Sequence, residues 1–429
     1  MGRPSGRPFF FEGMTAMMTA MRSLLFLLPI GLLGVAPASA APCVPVWING
    51  WASSQMLPTG DNVLPPGTLG GNSLRQIVRS SIDGRRLRVR LSNLAGTRPL
   101  RISGASIARA LGAKGGAIEG GSLMRLRFDG RADVILPAGG DYLSDPVDMP
   151  VKAFGNLAVS ILYAEEPSAQ TSHPGSRATS YVLPGDHLND PAMEGAKTFE
   201  RWQTLAAVEV ERCGPAKLVV ALGDSITDGR GSTTDGNDRW TDVLAARLQA
   251  DPKRRHIAVV NQGIGGNRLL NDGLGPSALA RLDRDVLAQP GVTSLIVLEG
   301  VNDLGTATRE APISEAEHVR LVERVIGAYR QIIARAHAHG IKVIGATILP
   351  YGSNDYYHPD ARNEADRQAV NAWIRAPGHF DAVVDFDKVT RDPAQPDRLL
   401  PAYDMGDGLH PSPAGYRAMA EAIPLGLFD

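Results

Sequence analysis

The sequence predicts two successive folds: an all-β sandwich of jelly-roll type over residues 41–214, then a doubly wound α/β domain over residues 215–429. Three observations carry this. Between Val44 and Glu211 the chain shows short apolar or alternating runs, frequent glycines and no long helical period. After Pro215, continuous apolar runs alternate with helical patterns. The length, 429 residues, exceeds the roughly 100 to 200 usual for one domain.

The clearest element of the first region is "LRQIVRSSIDGRRLRVRLSNL". Leu87, Val89 and Leu91 alternate there with Arg86, Arg88 and Arg90, behind an Asp83-Gly84 pair that signals a hairpin turn. The alternation implies one buried face and one solvated, arginine-rich face. "LMRLRFDG", "ADVILPAG", "NLAVSILYA" and "LAAVEVERC" repeat the short-strand pattern. In the second region "KLVVALGD", "HIAVVNQGI", "TSLIVLEGVND", "IKVIGATILP" and "FDAVVDFDKV" read as parallel strands covered on both faces. "RWTDVLAARLQAD", "SALARLDRDVLAQ", "EAEHVRLVERVIGAYRQIIARAHAHG", "EADRQAVNAWIRA" and "SPAGYRAMAEAI" read as the helices between and after them.

A formal net charge of −1 offers no basic face for phosphates, so nucleic acid is not an expected partner. "MRSLLFLLPIGLLGVAPASAAPC" sets Arg22 before an apolar run from Leu24 to Val35 and a small-residue cleavage pattern at Ala38-Ser39-Ala40. Residues 1–40 therefore read as a signal peptide, with Met14, Met17, Met18 and Met21 as alternative starts. The run is shorter than the ~20 residues of a membrane span, and Pro42 ahead of Cys43 disfavours a lipoprotein. A secreted or periplasmic location is expected. Disulfides persist in such compartments, and a bond between Cys43 and Cys213, the two cysteines of the chain, is expected over the alternative of two buried thiols.

In an open α/β sheet, ligands bind beyond the carboxyl ends of the strands. Those ends carry Gly223-Asp224-Ser225, then Asn261-Gln262-Gly263-Ile264-Gly265-Gly266-Asn267, then Glu299-Gly300-Val301-Asn302-Asp303; a later loop carries Asp404 and Asp407-Gly408-Leu409-His410. A hydroxyl, close-approach glycines, an asparagine amide and an acid beside a histidine are what acyl transfer requires. A serine needs a base to take its proton, histidine is suited to that role, and a carboxylate fixes the imidazole tautomer. Preorganised donors then meet the oxyanion. Ser225 N–H, Gly266 N–H and the Asn302 amide are the candidates.

In order and in type, "GDSIT" with Ser225, the glycine turn ending in Gly266, "GVND" with Asn302 and "DGLH" with Asp407 and His410 resemble the four blocks of the SGNH or GDSL hydrolase family. The resemblance covers the second half of the chain. It implies a flavodoxin-like three-layer α/β/α domain with Ser225 as nucleophile, His410 as base and Asp407 as its orienting acid. It also implies an oxyanion hole of Ser225, Gly266 and Asn302. "GDSITDGRGSTT", Arg239-Trp240, "NQGIGGNRLL" and "LEGVNDLG" are similar to a branch of arylesterases and xylan-associated esterases whose members carry a β-rich region ahead of the catalytic domain.

Asp355 and His358 repeat the spacing of Asp407 and His410, but His358 follows the fourth strand and is expected at most to line the pocket. His337 and His339 read as structural residues near a helix C-terminus. Asp224 is expected to cap the following helix, and Asp303 either to anchor its loop or to fix the Asn302 amide. Asp228, Asn267 and Arg268 are candidate substrate contacts, with a surface salt bridge as the alternative for Arg268. No metal motif is present and no cofactor is expected. The resulting expectation is an exported serine esterase acting on carboxylic, above all acetyl, esters of plant polysaccharides or oligosaccharides. A lipase, thioesterase or acyltransferase with the same triad, and a glycan-binding protein with a vestigial hydrolase domain, are the alternatives.

Overall fold

The short alternating runs ahead of Pro215 form antiparallel strands, as their period-two burial dictates. In this computed structural model, which describes Gly2 and residues 44–429, thirteen of them occur: β1 (Pro45–Ala52), β2 (Asn72–Arg79), β3 (Arg86–Ser92), β4 (Leu100–Arg109), β5 (Met124–Arg125), β6 (Val134–Leu136), β7 (Asp141–Leu143), β8 (Asn156–Tyr163), β9 (Ser172–His173), β10 (Ser180–Pro184), β11 (Lys197–Phe199), β12 (Trp202–Gln203) and β13 (Leu205–Cys213). One sheet has four strands in the order β1-β13-β3-β7. A second has seven: β11-β10-β2-β8-β4-β5, with β6 also paired to β4. Ile48, Leu87, Val89 and Val210 of the first share one apolar core with Leu74, Ile107 and Val159 of the second. Cys213 is disulfide-bonded. Cys43, its expected partner, and the segment read as a signal peptide lie outside the described residues.

Two expectations for this region are corrected. The Asp83-Gly84 turn does not close a hairpin, because β2 belongs to the seven-stranded sheet and β3 to the four-stranded one. Neither residue adopts the positive φ that a type I′ turn needs. The backbone here is committed elsewhere: Ser81 N–H donates to the Gly50 carbonyl (2.7 Å) and Gly84 N–H to that of Val151 (3.0 Å). The arginines of β3 are also not a freely solvated face. They stand opposite acids of β13, Arg86 against Glu211 and Arg88 against Glu209. Glu209 is fully buried between Arg88 (2.6 Å) and Arg90, and the Arg88 guanidinium covers the Trp47 ring at 4.4 Å.

The apolar runs after Pro215 form a five-stranded parallel sheet in the order β15-β14-β16-β17-β18. Its strands are β14 (Lys217–Gly223), β15 (Ile257–Gly263), β16 (Val292–Leu298), β17 (Lys342–Ala346) and β18 (Ala382–Val384). The helices are α1 (Ser225–Asp228), α2 (Trp240–Ala250), α3 (Ala278–Leu282), α4 (Val301–Thr308), α5 (Glu315–Ala338), α6 (Ala361–Arg375), α7 (Phe386–Thr390) and α8 (Pro413–Glu421). α2, α7 and α8 pack together, and α3, α4, α5 and α6 form a second group, giving the α/β/α layering. Helix starts follow local chemistry: Ser314 and Glu317 make a capping box for α5, and Ser412 caps α8 with Pro413 at its first position. The brief helices α1, α4 and α7 escape periodicity analysis because four to eight residues hold too few turns to show it.

The described residues from Val44 onward form one compact unit. β1, an edge strand of the four-stranded sheet, lies beside β15, an edge strand of the parallel sheet, and so covers an edge that would otherwise stay open. Val259 N–H donates to Ser81 Oγ at 3.1 Å and the Asn49 amide bonds Gln289. Among the described residues no helix is long and apolar enough to cross a membrane.

Replacing Glu209 with Leu is expected to cost ~3 kcal/mol, because it leaves two arginines over the sheet without their counter-charge. A denaturant midpoint unchanged from wild type would refute that weight for the pair.

Candidate active site

The order β15-β14-β16 puts the topological switch of the sheet at β14, and the crevice there opens at the carboxyl ends of all three strands. β14 delivers Ser225 as the first residue of α1, where its N–H has no helical partner. β15 runs into the turn containing Gly266, whose φ of +70° suits glycine. β16 leads through Gly300 into α4, which carries Asn302. The loop before α8 brings His410 over Ser225.

The hydrogen bonds run in one direction. Ser225 Oγ lies 2.8 Å from His410 Nε2, and His410 Nδ1 lies 2.7 Å from Asp407 Oδ2. The other Asp407 oxygen accepts from the backbone N–H of His410 (2.9 Å) and Leu409 (3.1 Å). A carboxylate there can only accept, so Nδ1 carries the hydrogen and Nε2 is left to accept from the serine. Burial works to raise the Asp407 pKa, but the hydrogen bonds and charge of His410 outweigh it and hold it at about 2. Asp404 orders the same loop by accepting from the N–H groups of Gly406, Asp407 and Gly408.

Asn302 is oriented from two sides. Its Nδ2 donates to the Asn267 carbonyl at 2.7 Å, and its Oδ1 accepts from the Tyr357 hydroxyl at 2.5 Å. A carbonyl only accepts, so this contact fixes which end of the amide is nitrogen, leaving the second N–H of Nδ2 free for a ligand. Ser225, Gly266 and Asn302 line a single cleft of about 910 Å³ together with His410 and Asp407.

Of the three expected substrate contacts, Arg268 and Asp228 line this cleft and Asn267 does not. Asn267 is buried with its side chain turned away: Oδ1 accepts from Arg281 (2.9 and 2.7 Å) and Nδ2 donates to the Pro276 carbonyl (2.8 Å). Its place is in the framework. Asp228 faces the cleft with one oxygen committed to His173 Nε2 at 2.9 Å. Arg268 has no ion pair among the described residues; its guanidinium bonds the Asp272 carbonyl. Asp224 caps α1 through Ile226 N–H (2.9 Å), and Asp303 anchors its loop through the N–H groups of Leu269 (2.8 Å) and Leu270 (3.0 Å). His358 is exposed and away from the cleft lining.

Three groups were not legible beforehand. Arg281 is fully buried behind the strand ends. It donates to the Gly223 carbonyl (3.0 Å), the Gln262 carbonyl (2.6 Å), Asn267, Ser54 Oγ (2.9 Å) and Asp285 (3.0 Å). Tyr357 sits in "NDYYH", where the neighbouring Asp355 and His358 draw the eye. His173 comes from the β-rich region; its Nδ1 donates to the Ser54 carbonyl (2.8 Å) and its ring stacks on Trp202. Next to it Gly175 meets Asp228 so closely that a Cβ would fall 1.7 Å from the carboxylate, so only glycine fits. Met56, Asn62 and Arg177 of the same region also line the cleft.

Behind Ser225 lies a set of buried acids. Burial, with the charge of Asp224 adding to it, pushes Glu299 well up; burial raises Asp224 to about 7 and Asp303 to about 6. Among the described residues no group of three or more His, Cys, Asp or Glu side chains is arranged to hold a metal.

Over residues 221–418 the chain matches the GDSL-like lipase/acylhydrolase family. Its α/β part belongs to the SGNH/GDSL hydrolases, and the protein is a carboxylic ester hydrolase. Solved structures to which part of this chain is similar include Axe2, an acetylxylan esterase from Geobacillus stearothermophilus, at 24% identity over 49% of this chain and 93% of that one, with a TM-score of 0.37. A GDSL-like lipase from Bacteroides thetaiotaomicron is similar at 22% identity over 48% and 85% of the two chains, TM-score 0.34. The enzyme LAE5 from the metagenome of Lake Arreo is similar at 23% identity over 48% and 94%, TM-score 0.36. No curated protein matches the chain.

The raised acids make stability depend on pH with a definite sign. Asp224 and Asp303 titrate above the ~3.9 of an unfolded aspartate, so between about pH 4 and 7 the folded protein holds protons that the unfolded chain has released. Their contribution to stability falls as pH rises through that window. Asp407 acts oppositely: its contribution is present above about pH 4 and lost as pH falls toward 2. Asp224→Asn keeps an acceptor for Ile226 N–H, and its stability relative to wild type is expected to grow between pH 5 and 8 by on the order of 1 kcal/mol or more. Denaturant melts at both pH values check this; a difference independent of pH would refute it.

Proposed function

We propose that this chain is an exported serine esterase that removes short acyl groups, above all acetyl, from plant polysaccharides or oligosaccharides by way of an acyl-enzyme. Ser225 is the nucleophile, His410 the base and Asp407 its orienting acid. The observation that carries the reading is the unbroken run of hydrogen bonds from Ser225 Oγ through the His410 ring to Asp407. His410 Nε2 takes the hydroxyl proton as Oγ attacks the ester carbonyl, and Asp407 stabilises the imidazolium that results. The carbonyl oxygen, now negative, is met by Ser225 N–H, Gly266 N–H and the free N–H of Asn302; such donors are worth about 2.7 to 4 kcal/mol each. The proton on Nε2 passes to the leaving alkoxide as the C–O bond breaks. Water then repeats the sequence on the acyl-serine, releasing the carboxylic acid and restoring the serine.

The substrate half of the proposal rests on the strings similar to arylesterases and xylan-associated esterases, and the location on the Arg22-to-Ala40 pattern. A cleft open enough for a group on a polymer, and walled in part by the β-rich region, supports the same reading.

Ser225→Ala and His410→Ala are each expected to lower kcat on p-nitrophenyl acetate by about a thousandfold or more, with KM little changed. Near-wild-type turnover by either purified variant would overturn the assigned roles. A parallel panel of acetylated xylan, acetyl and decanoyl esters tests the acyl group; faster cleavage of decanoyl esters would move the protein to the lipases.

A further inference from the structure

The cleft carries more positive charge than ester hydrolysis calls for. Four arginines line it: Arg177, Arg230, Arg268 and Arg309; the acids are Asp228, Asp355 and Asp407. Two of those acids are engaged by histidines, Asp228 by His173 and Asp407 by His410. Arg309 is held by Glu310 at 2.7 Å and by the Tyr356 hydroxyl. That leaves three arginines in the lining, Arg177, Arg230 and Arg268, with Asp355 as the one acid not engaged by a histidine. Among the described residues neither Arg177 nor Arg268 makes an ion pair, and the carboxylate nearest Arg230 is Asp407 at 3.9 Å. The Nε of Arg177 is buried with no hydrogen-bond partner, while the residue as a whole is half-buried in the cleft wall. Arg177 also holds a left-handed backbone, φ +45°, that non-glycine residues seldom adopt. Its carbonyl is pinned by Asp235 N–H at 2.9 Å.

These three arginines come from separate elements: a loop of the β-rich region, the segment after α1 and the turn after β15. The whole chain has a formal charge of only −1, so their gathering at one mouth is local. A guanidinium presents a planar fork of donors that matches an oxyanion, whereas a neutral sugar ester offers that fork only single uncharged acceptors and no counter-charge. We propose that the ester bound in this cleft carries an anionic group, a carboxylate or a sulfate, seated among Arg177, Arg230 and Arg268 while its acyl carbonyl lies at Ser225. This rests on the reading of the cleft as the ester site.

The test compares three aryl acetates, 4-acetoxybenzoate, 4-acetoxybenzenesulfonate and the neutral methyl 4-acetoxybenzoate, on wild type and on Arg177→Gln, Arg268→Gln and their combination. For the double variant the ratio of kcat/KM on the anionic esters to kcat/KM on the neutral ester is expected to fall at least tenfold, mainly through KM on the anionic esters. Raising NaCl to 0.5 M should lower wild-type kcat/KM on the anionic esters alone. A larger loss on the benzoate than on the sulfonate identifies carboxylate as the group read; the reverse identifies sulfate. Equal losses on all three esters, or none, overturn the proposal. Arg268→Gln serves alone if the double variant does not fold. Calorimetric binding of the uncleaved amides 4-acetamidobenzoate and acetanilide to wild type and Arg268→Gln needs no turnover. Should wild type cleave none of the esters, the ester reading falls, while preferential binding of the anionic amide that weakens at least tenfold in the variant still upholds the anion site. Equal binding of both amides overturns it.

Discussion

A single buried guanidinium organises the reacting end of the sheet. Arg281 donates to the last carbonyls of β14 and near the end of β15, to the Asn267 side chain and to Asp285, and it reaches across to Ser54 of the β-rich region. A charge with no access to water must be satisfied by its surroundings. Arg281 can be satisfied only if those groups converge, and their convergence brings the Ser225 turn, the Gly266 turn and the Asn302 amide to one crevice. Asn267 is the transmitter: its side chain is fixed by Arg281, and its carbonyl fixes Asn302. A residue that touches no ligand thereby sets the direction of the amide that faces the cleft.

The β-rich region belongs to the same arrangement. β1 covers the edge of the parallel sheet, Ser54 accepts from Arg281 and donates to Asp285, and His173 engages Asp228 on the helix that begins with Ser225. Gly175 is pressed so close to that carboxylate that no side chain fits. The β-rich region is a wall of the cleft and supplies one of its unpaired arginines, so changes there alter the cleft directly.

Charge inside this molecule follows one rule with two outcomes. Where a carboxylate has hydrogen bonds and a cationic partner, as at Asp407, burial is outweighed. Where partners are few, as at Glu299, whose Oε2 has no partner, burial prevails and pushes the pKa up. The acids behind Ser225 are of the second kind and Asp407 is of the first, which keeps negative charge beside His410 and low behind Ser225.

The sequence by itself determined the alternation of strands and helices after Pro215, the β texture before it, and the strand ends that carry Ser225, Gly266, Asn302, Asp407 and His410. Those features are local: a buried parallel strand must be continuously apolar, and ligands sit where such strands end. It could not show that Asp83-Gly84 turns between two sheets, because a turn's chemistry does not name the partners of its strands. The arginines of β3 look solvated in sequence because the acids that pair with them lie more than a hundred residues away. Asn267 and Arg268 are adjacent in the chain, yet one points into the framework and the other into the cleft, a difference only Arg281 decides. Arg281 itself reads as an ordinary charge on an amphipathic helix. What tertiary structure alone decided was which polar groups are buried, and burial is what turns a common residue into a structural constraint.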